Sequence, residues 1–312
     1  MLRNLNWSPS PKDERDLKFN EYFKVLPKIK LPSTIDLSTK IPEVWDQGEI
    51  GACVFFSTGM TILHRSRLQD REINPSKLFF YYITREYEGT LNEDSGAYVR
   101  DAFKMLNKTG VCKEQTWPYM PSKLFMKPSS DAYIEAANTK AVKYYSLLKD
   151  LNELKTCLTL ERPFVFGFRV YESFMNDPWP NTMPLPKKRE KSLGGHAVVC
   201  VGFDDKRQAF RIKNSWGKDW KDKGYFWMPY SFITSGECSD FWTLELLSEI
   251  KEQPQQDDFV SNLRKVFKTK KEFSTLSENF IVRIGVILGL DVDMIYTKKK
   301  NIDTVSSFLD LV

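Results

Sequence analysis

An α+β protein of two lobes is the fold class this sequence predicts, and three observations predict it. Apolar residues recur at helical spacing through the first half, short β-rich runs fill the second, and the composition shifts near residues 30 and 250. From Cys53 to about Leu68 the pattern is that of a helix, with Val54, Phe55, Phe56, Met60, Ile62 and Leu63 as core candidates. Pro75 starts a second helical stretch, PSKLFFYYITREYE, and Ser95 to about Lys108 reads as a third. After Pro163 the runs PFVFGFRV, HAVVCVGF, AFRIKN and GYFWM, separated by turn residues, read as strands. The loop 176–193, with four prolines followed by KKREK, is expected at the surface. Three segments follow: an N-terminal arm over 1–30, a main domain over 31–250, and a C-terminal extension over 251–312. SEIKEQPQQDD reads as the linker into that extension, which resembles two or three short amphipathic helices.

Composition narrows the function classes. With 312 residues, 41% hydrophobic and 28% charged, the chain is neither disordered, collagen-like nor a small disulfide scaffold. A net charge of +5 does not by itself imply a nucleic-acid partner, and none is expected. The basic clusters at 187–189, 264–271 and 298–300 belong to no known nucleic-acid-binding module and read as solvated faces. No apolar run at the N-terminus suits a signal peptide, and the longest one, 280–290, carries Arg283 and is too short to span a bilayer. A soluble, intracellular protein with no membrane partner is therefore expected. Five cysteines (53, 112, 157, 200 and 238) are an odd number with no C-x-x-C pair, and there are two histidines. A zinc site is not expected; at least one free thiol in a reducing compartment is.

The question becomes which thiol is reactive. In Q-G-E-I-G-A-C (47–53) two glycines permit a tight loop that places Cys53 at a helix N-terminus. There, free N–H groups and the helix dipole favour a thiolate. Gln47, six residues earlier, could fold back and donate to a developing oxyanion. His196 stands at the entry to an apolar strand in GGHAVVCVGF, with glycines leaving room around its ring. Asn214, 18 residues later, ends another β run in IKNSWGKDWKDKGYFWM, where its carboxamide oxygen could orient the imidazole. Trp216 could shield that hydrogen bond from water. Taken singly, each motif is also compatible with a structural role: a buried cysteine at a helix start, a strand-start histidine, a turn with a core tryptophan.

Together these motifs resemble those of papain-like cysteine proteases over about 31–250. LPSTIDLS is similar to the family's mature N-terminal segment, Q-G-x-x-G-A-C to its nucleophile loop, and NEDSGAYVRDAFKMLNKTGVCKEQTWPY to its substrate-binding glycine loop and E-x-x-Y-P-Y motif. GGHAVVCVGF and NSWGKDWKDKGYF are similar to its histidine and asparagine motifs. The resemblance implies a papain-like fold with a helical left lobe, a barrel-like right lobe and a cleft between them. It implies Cys53 as nucleophile, His196 as general acid/base, Asn214 as orienter and Gln47 as oxyanion donor. Gly96 would pair with an extended substrate. Ala97, Tyr98, Gly167, Gly194 and Ala197 would form the pocket for the second residue before the scissile bond. No metal or organic cofactor is implied. Two positions depart from the family pattern: Ile50 replaces a half-cystine, and Val54 an aromatic residue. With Asp13-Glu14-Arg15-Asp16 upstream, the nearest resemblance is to the disulfide-poor branch of bacteria, archaea and large DNA viruses.

The resemblance implies a thiol endopeptidase acting on peptide or protein substrates through a Cys53 thioester. Its own N-terminal segment is the expected inhibitor, with activation by cleavage near Lys28–Leu31. Two alternatives stay open: a silent papain-like module that binds peptides, and a transpeptidase or ligase using the same acyl-enzyme.

Overall fold

Strand β3 (Phe164–Tyr171) shows how the two lobes are built. Side chains alternate along a strand, and here they alternate between two cores. Phe164, Phe166, Phe168 and Val170 enter a sheet-side core, whereas Val165 enters a helix-side one. Because both faces are covered, the run is apolar almost throughout. Gly167 falls on the helix-side face, next to the groove described below.

The computed structural model describes residues 3–23, 30–176 and 178–248, all within one compact unit spanning 1–249. The helical reading of 251–312 and the first half of the Lys28–Leu31 cleavage region lie outside the described residues. In chain order the elements are α1 (Phe19–Phe23), β1 (Thr34–Asp36), α2 (Cys53–Arg67), α3 (Lys77–Glu88), α4 (Val99–Lys108), α5 (Ser130–Ala136) and β2 (Ala141–Ser146). Then come α6 (Leu151–Thr159), β3, α7 (Glu172–Asn176), β4 (Ser192–Asp204), β5 (Ala209–Lys213), β6 (Tyr225–Pro229), α8 (Tyr230–Ile233) and β7 (Cys238–Leu247). Ser76 caps α3 by accepting from the Phe79 N–H, and Gly89 closes it in the left-handed conformation. Loop 176–193 is mostly exposed as expected, although Trp179 and Met183 turn inward.

All strand pairings are antiparallel, in the order β2-β7-β3-β4-β5-β6, with β1 added to the far end of β4. The expected barrel is not closed: among the described residues β2 and β6 stay at opposite edges. The reason lies in β4, which is 13 residues long. Its first part pairs with β3 and its last part with β5 and β1, with a bulge between Cys200 and Gly202. The strand therefore changes partners along its length, which curves the sheet without sealing it. All five cysteines are buried, unpaired thiols. Among the described residues no helix is long and apolar enough to cross a membrane.

Arg85 links this scaffold to the groove. Fully buried, it stacks 4.2 Å from the Tyr81 ring and donates to the carbonyls of Leu91, Glu93 and Leu124. These carbonyls lie on or against the loop that delivers Asp94 and Gly96. Removing the guanidinium would strand buried acceptors, each costly to leave unpaired. Arg85→Leu should lower unfolding stability by on the order of 3 kcal/mol, read as a drop in the urea midpoint; an unchanged midpoint would contradict this role.

Candidate active site

The first residue of α2 is Cys53, preceded by a loop held from three directions. The Gly51 N–H donates to both Asp94 carboxylate oxygens at 2.9 and 3.1 Å. The Tyr81 hydroxyl donates to the same carboxylate at 2.7 Å and accepts from the Gly96 N–H at 2.8 Å. One carboxylate and one phenol therefore tie the loop before Cys53 to the glycine loop expected to bind substrate. The Tyr119 hydroxyl donates to the Gln47 carbonyl at 2.8 Å. Sequence reading missed Asp94, Tyr81 and Tyr119, although Asp94 and Tyr119 lie within motifs it quoted.

Across the groove, β4 and β5 bring His196 and Asn214 together. His196 Nε2 and Asn214 Oδ1 are 2.7 Å apart, so the ring donates through Nε2 and keeps Nδ1 as its basic nitrogen. That Nδ1 is buried without a hydrogen-bond partner. Trp216 lies against the imidazole with ring centroids 4.8 Å apart, in the covering position expected of it. Asn214 Oδ1 also accepts from the Ser215 N–H, and the Ser215 hydroxyl donates to Gln47 Oε1 at 2.6 Å. One of the two Gln47 amide N–H bonds goes to the Ile50 carbonyl. A continuous chain thus runs from Gln47 through Ser215 and Asn214 to His196. Cys53 approaches this chain from the helix side: the Ala197 backbone, one residue from His196, acts to lower its thiol pKa against the larger opposing effect of burial. Ser57, one turn along α2, donates to the Ala197 carbonyl at 2.9 Å.

The groove between these elements is occupied by the N-terminal arm. Asn6 pairs with Gly195 in parallel fashion: the Gly195 N–H donates to the Leu5 carbonyl at 3.1 Å, and the Trp7 N–H to the Gly195 carbonyl at 3.0 Å. Asn4 and Asn6 donate to Asp94, and Arg3 pairs with Asp46 beside the Trp216 ring. Further on, the Ser10 hydroxyl donates to Asp240, and Arg100 holds Asp13, Asp16 and the Pro11 carbonyl. Of the expected pocket residues, Gly96, Gly167 and Gly194 all face the arm, and Ala97 and Ala197 share an apolar cluster with Trp7. Ala97 and Tyr98 also line a cavity of about 210 Å³ together with Asn6, Ser8, Glu88 and Ser95. A larger cavity, about 630 Å³, lies against Glu43, Glu72, Lys113 and Glu135 and shares no residue with the groove.

Closure changes the electrostatics expected of this site. Burial pushes the Cys53 thiol up to about 11, against the lowering effect of backbone N–H groups. Burial likewise pulls His196 down to about 4, overriding the Asn214 hydrogen bond that favours the cation. Burial therefore opposes the thiolate expected at the helix start. The reason is that desolvation penalises both charges of an ion pair. His64, buried in α2, is lowered to about 4 by the same cause. A depressed histidine stays neutral until the pH falls to its lowered value, so neither imidazole should gain a proton between about pH 5.5 and 8. Histidine ring resonances followed by NMR across that range should stay fixed in the full chain. One that moved near the ordinary 6.5 would contradict the closed electrostatics.

Comparison with known proteins agrees with this geometry. The family model "Papain family cysteine protease" matches residues 31–239. An uncharacterised peptidase C1-like protein of Acanthamoeba polyphaga mimivirus is 36% identical over 276 residues, covering 79% of this chain and 88% of the relative. Cathepsin B-like CP2 of Giardia intestinalis is 29% identical, over 60% of this chain and 64% of its own. Xylellain, a cysteine protease from Xylella fastidiosa, superposes with a TM-score of 0.71 at 38% identity, covering 78% of this chain and 96% of that one. A digestive procathepsin L 3 from Tenebrio molitor shares the fold at a TM-score of 0.59 and 20% identity. With motifs, fold and site geometry in agreement, the chain belongs to the papain family of cysteine proteases.

Proposed function

We propose that this chain is a cysteine endopeptidase kept closed by its own N-terminal segment, residues 3–16. The observation that carries the reading is the pairing of a shielded His196–Asn214 hydrogen bond with an arm that fills the groove beside Cys53. In the open enzyme His196 Nδ1 takes the thiol proton, and the resulting Cys53 thiolate attacks the peptide carbonyl carbon. The oxyanion is held by a Gln47 amide N–H and the Cys53 backbone N–H. His196 then gives its proton to the leaving nitrogen, the C–N bond breaks, and a thioester remains. Water, deprotonated by His196, attacks that thioester; the C–S bond breaks, and the acid and the free thiol are released. Asn214 keeps the imidazole oriented throughout. The two histidines leave no histidine-bearing insert to cap one end of the groove, which favours cleavage within chains.

Closure would act twice. The arm blocks substrate sterically, and by excluding water it holds both Cys53 and His196 neutral. Once the arm leaves, solvent returns and the helix start can stabilise the thiolate beside a protonated His196.

With fluorogenic peptides at neutral pH, Trp7→Ala in the full chain should raise the rate by at least about tenfold, since one buried anchor of the arm is lost. An epoxide thiol reagent should label Cys53 faster in that variant than in the native chain, as mapped by mass spectrometry. Equal rates and equal labelling would remove autoinhibition. Adding Cys53→Ala should abolish hydrolysis, and Gln47→Ala in the Trp7→Ala background should lower kcat by roughly 10²–10³. Hydrolysis persisting without Cys53 would overturn the peptidase reading itself.

A further inference from the structure

Two glycines beside the groove lack a side chain for a reason other than backbone shape. Gly167 lies mid-strand in β3, paired with Ala197 on one side and Ser239 on the other, and Gly195 lies in β4; neither adopts a positive φ. Glycine weakens a strand interior and often marks a place where another group must approach closely. Here that group is Trp7. A Cβ built on Gly167 would strike the Cδ2, Cε2 and Cζ2 atoms of its indole, all closer than the 3.0 Å that real Cβ atoms keep. A Cβ on Gly195 would strike the Trp7 carbonyl and Cε3. Gly195 thus admits the arm's main chain, whereas Gly167 makes room for the ring.

The atoms over Gly167 belong to the fused bond and the six-membered ring, the part of an indole that reaches beyond a single small ring. Trp7 is only 6% exposed, and the apolar cluster it joins also includes Ala97 and Ala197, both with minimal side chains. Gly167 and Gly195, on two adjacent strands, thus leave a slot that a bicyclic side chain fills.

We infer that this slot selects tryptophan-bearing substrates, with Gly167 as the residue that sets its depth, and that Trp7 closes the enzyme by occupying the place of that substrate side chain. The inference rests on the peptidase reading above and names its substrate class: peptides and unfolded protein segments with tryptophan two residues before the cleaved bond. Leucine and valine would leave the floor of the slot empty, forfeiting contacts with Gly167.

The test uses the full chain carrying Trp7→Ala and peptides identical except for Trp, Phe, Leu or Val at that position. The Trp peptide should exceed the Leu peptide in kcat/KM by at least about tenfold, the scale on which apolar pockets discriminate by size. In Trp7→Ala/Gly167→Ala the preference should reverse, because the added methyl stands where the ring lay. An unchanged Trp:Leu ratio, or a preference for Leu already in Trp7→Ala, would overturn the inference while leaving the peptidase reading intact. A second measurement needs neither turnover nor Gly167→Ala. A synthetic peptide of residues 3–12 titrated calorimetrically into the Trp7→Ala/Cys53→Ala chain should bind at least about tenfold more tightly than its Trp7→Leu version. Equal affinities would overturn the inference even if no peptide were cleaved, an outcome that would separately count against the peptidase reading.

Discussion

Helix α2 is buried on nearly every side, and this constraint locates the site. Of its 15 residues, only Arg65 and Arg67 escape burial, because Phe55, Phe56 and Ile62 face the helix-side core while Met60 and Leu63 face the sheet-side one. A helix buried on nearly every side sits inside the protein, and here it stands between the two cores. Its first residue consequently emerges at the seam between them, where β4 presents His196 and where chain from both lobes can converge. The hydrogen bond from Ser57 to the Ala197 carbonyl sets that seam from within the helix.

Two opposing terms meet at the seam. A helix N-terminus favours an anion by about 0.3–1 kcal/mol when exposed. Burying the thiol moves it from 9.0 to about 11, a penalty on the order of 3 kcal/mol. Desolvation wins in this structure, in which the N-terminal arm lies in the groove.

Much of the site was legible in the sequence because papain-family chemistry is written in short contiguous motifs. Gln47, Cys53, His196, Asn214 and Trp216 each sit in one. The long helices were legible from their apolar period, within a residue or two at α2 and α3. The third was over-extended: Ser95–Tyr98 forms the groove-lining loop, with Gly96 at φ +72°, and helix begins only at Val99. Strands β2 and β7 escaped notice because Lys143 and the left-handed Asp240 interrupt their apolar character. Trp7 could not have been singled out. Nothing in LRNLNWSPS marks it, since the space it fills is created by a missing side chain 160 residues downstream.

Under the autoinhibition proposed above, the arm's covalent attachment has a kinetic consequence. A plug carried on its own polypeptide meets its socket at an effective concentration in roughly the millimolar range, whatever the protein concentration. Dilution cannot free the groove, and a competing ligand must outbid that standing local supply. Severing the chain between plug and body would turn the same contacts into an ordinary bimolecular complex, which empties at its off-rate once dilution takes the fragment below its dissociation constant.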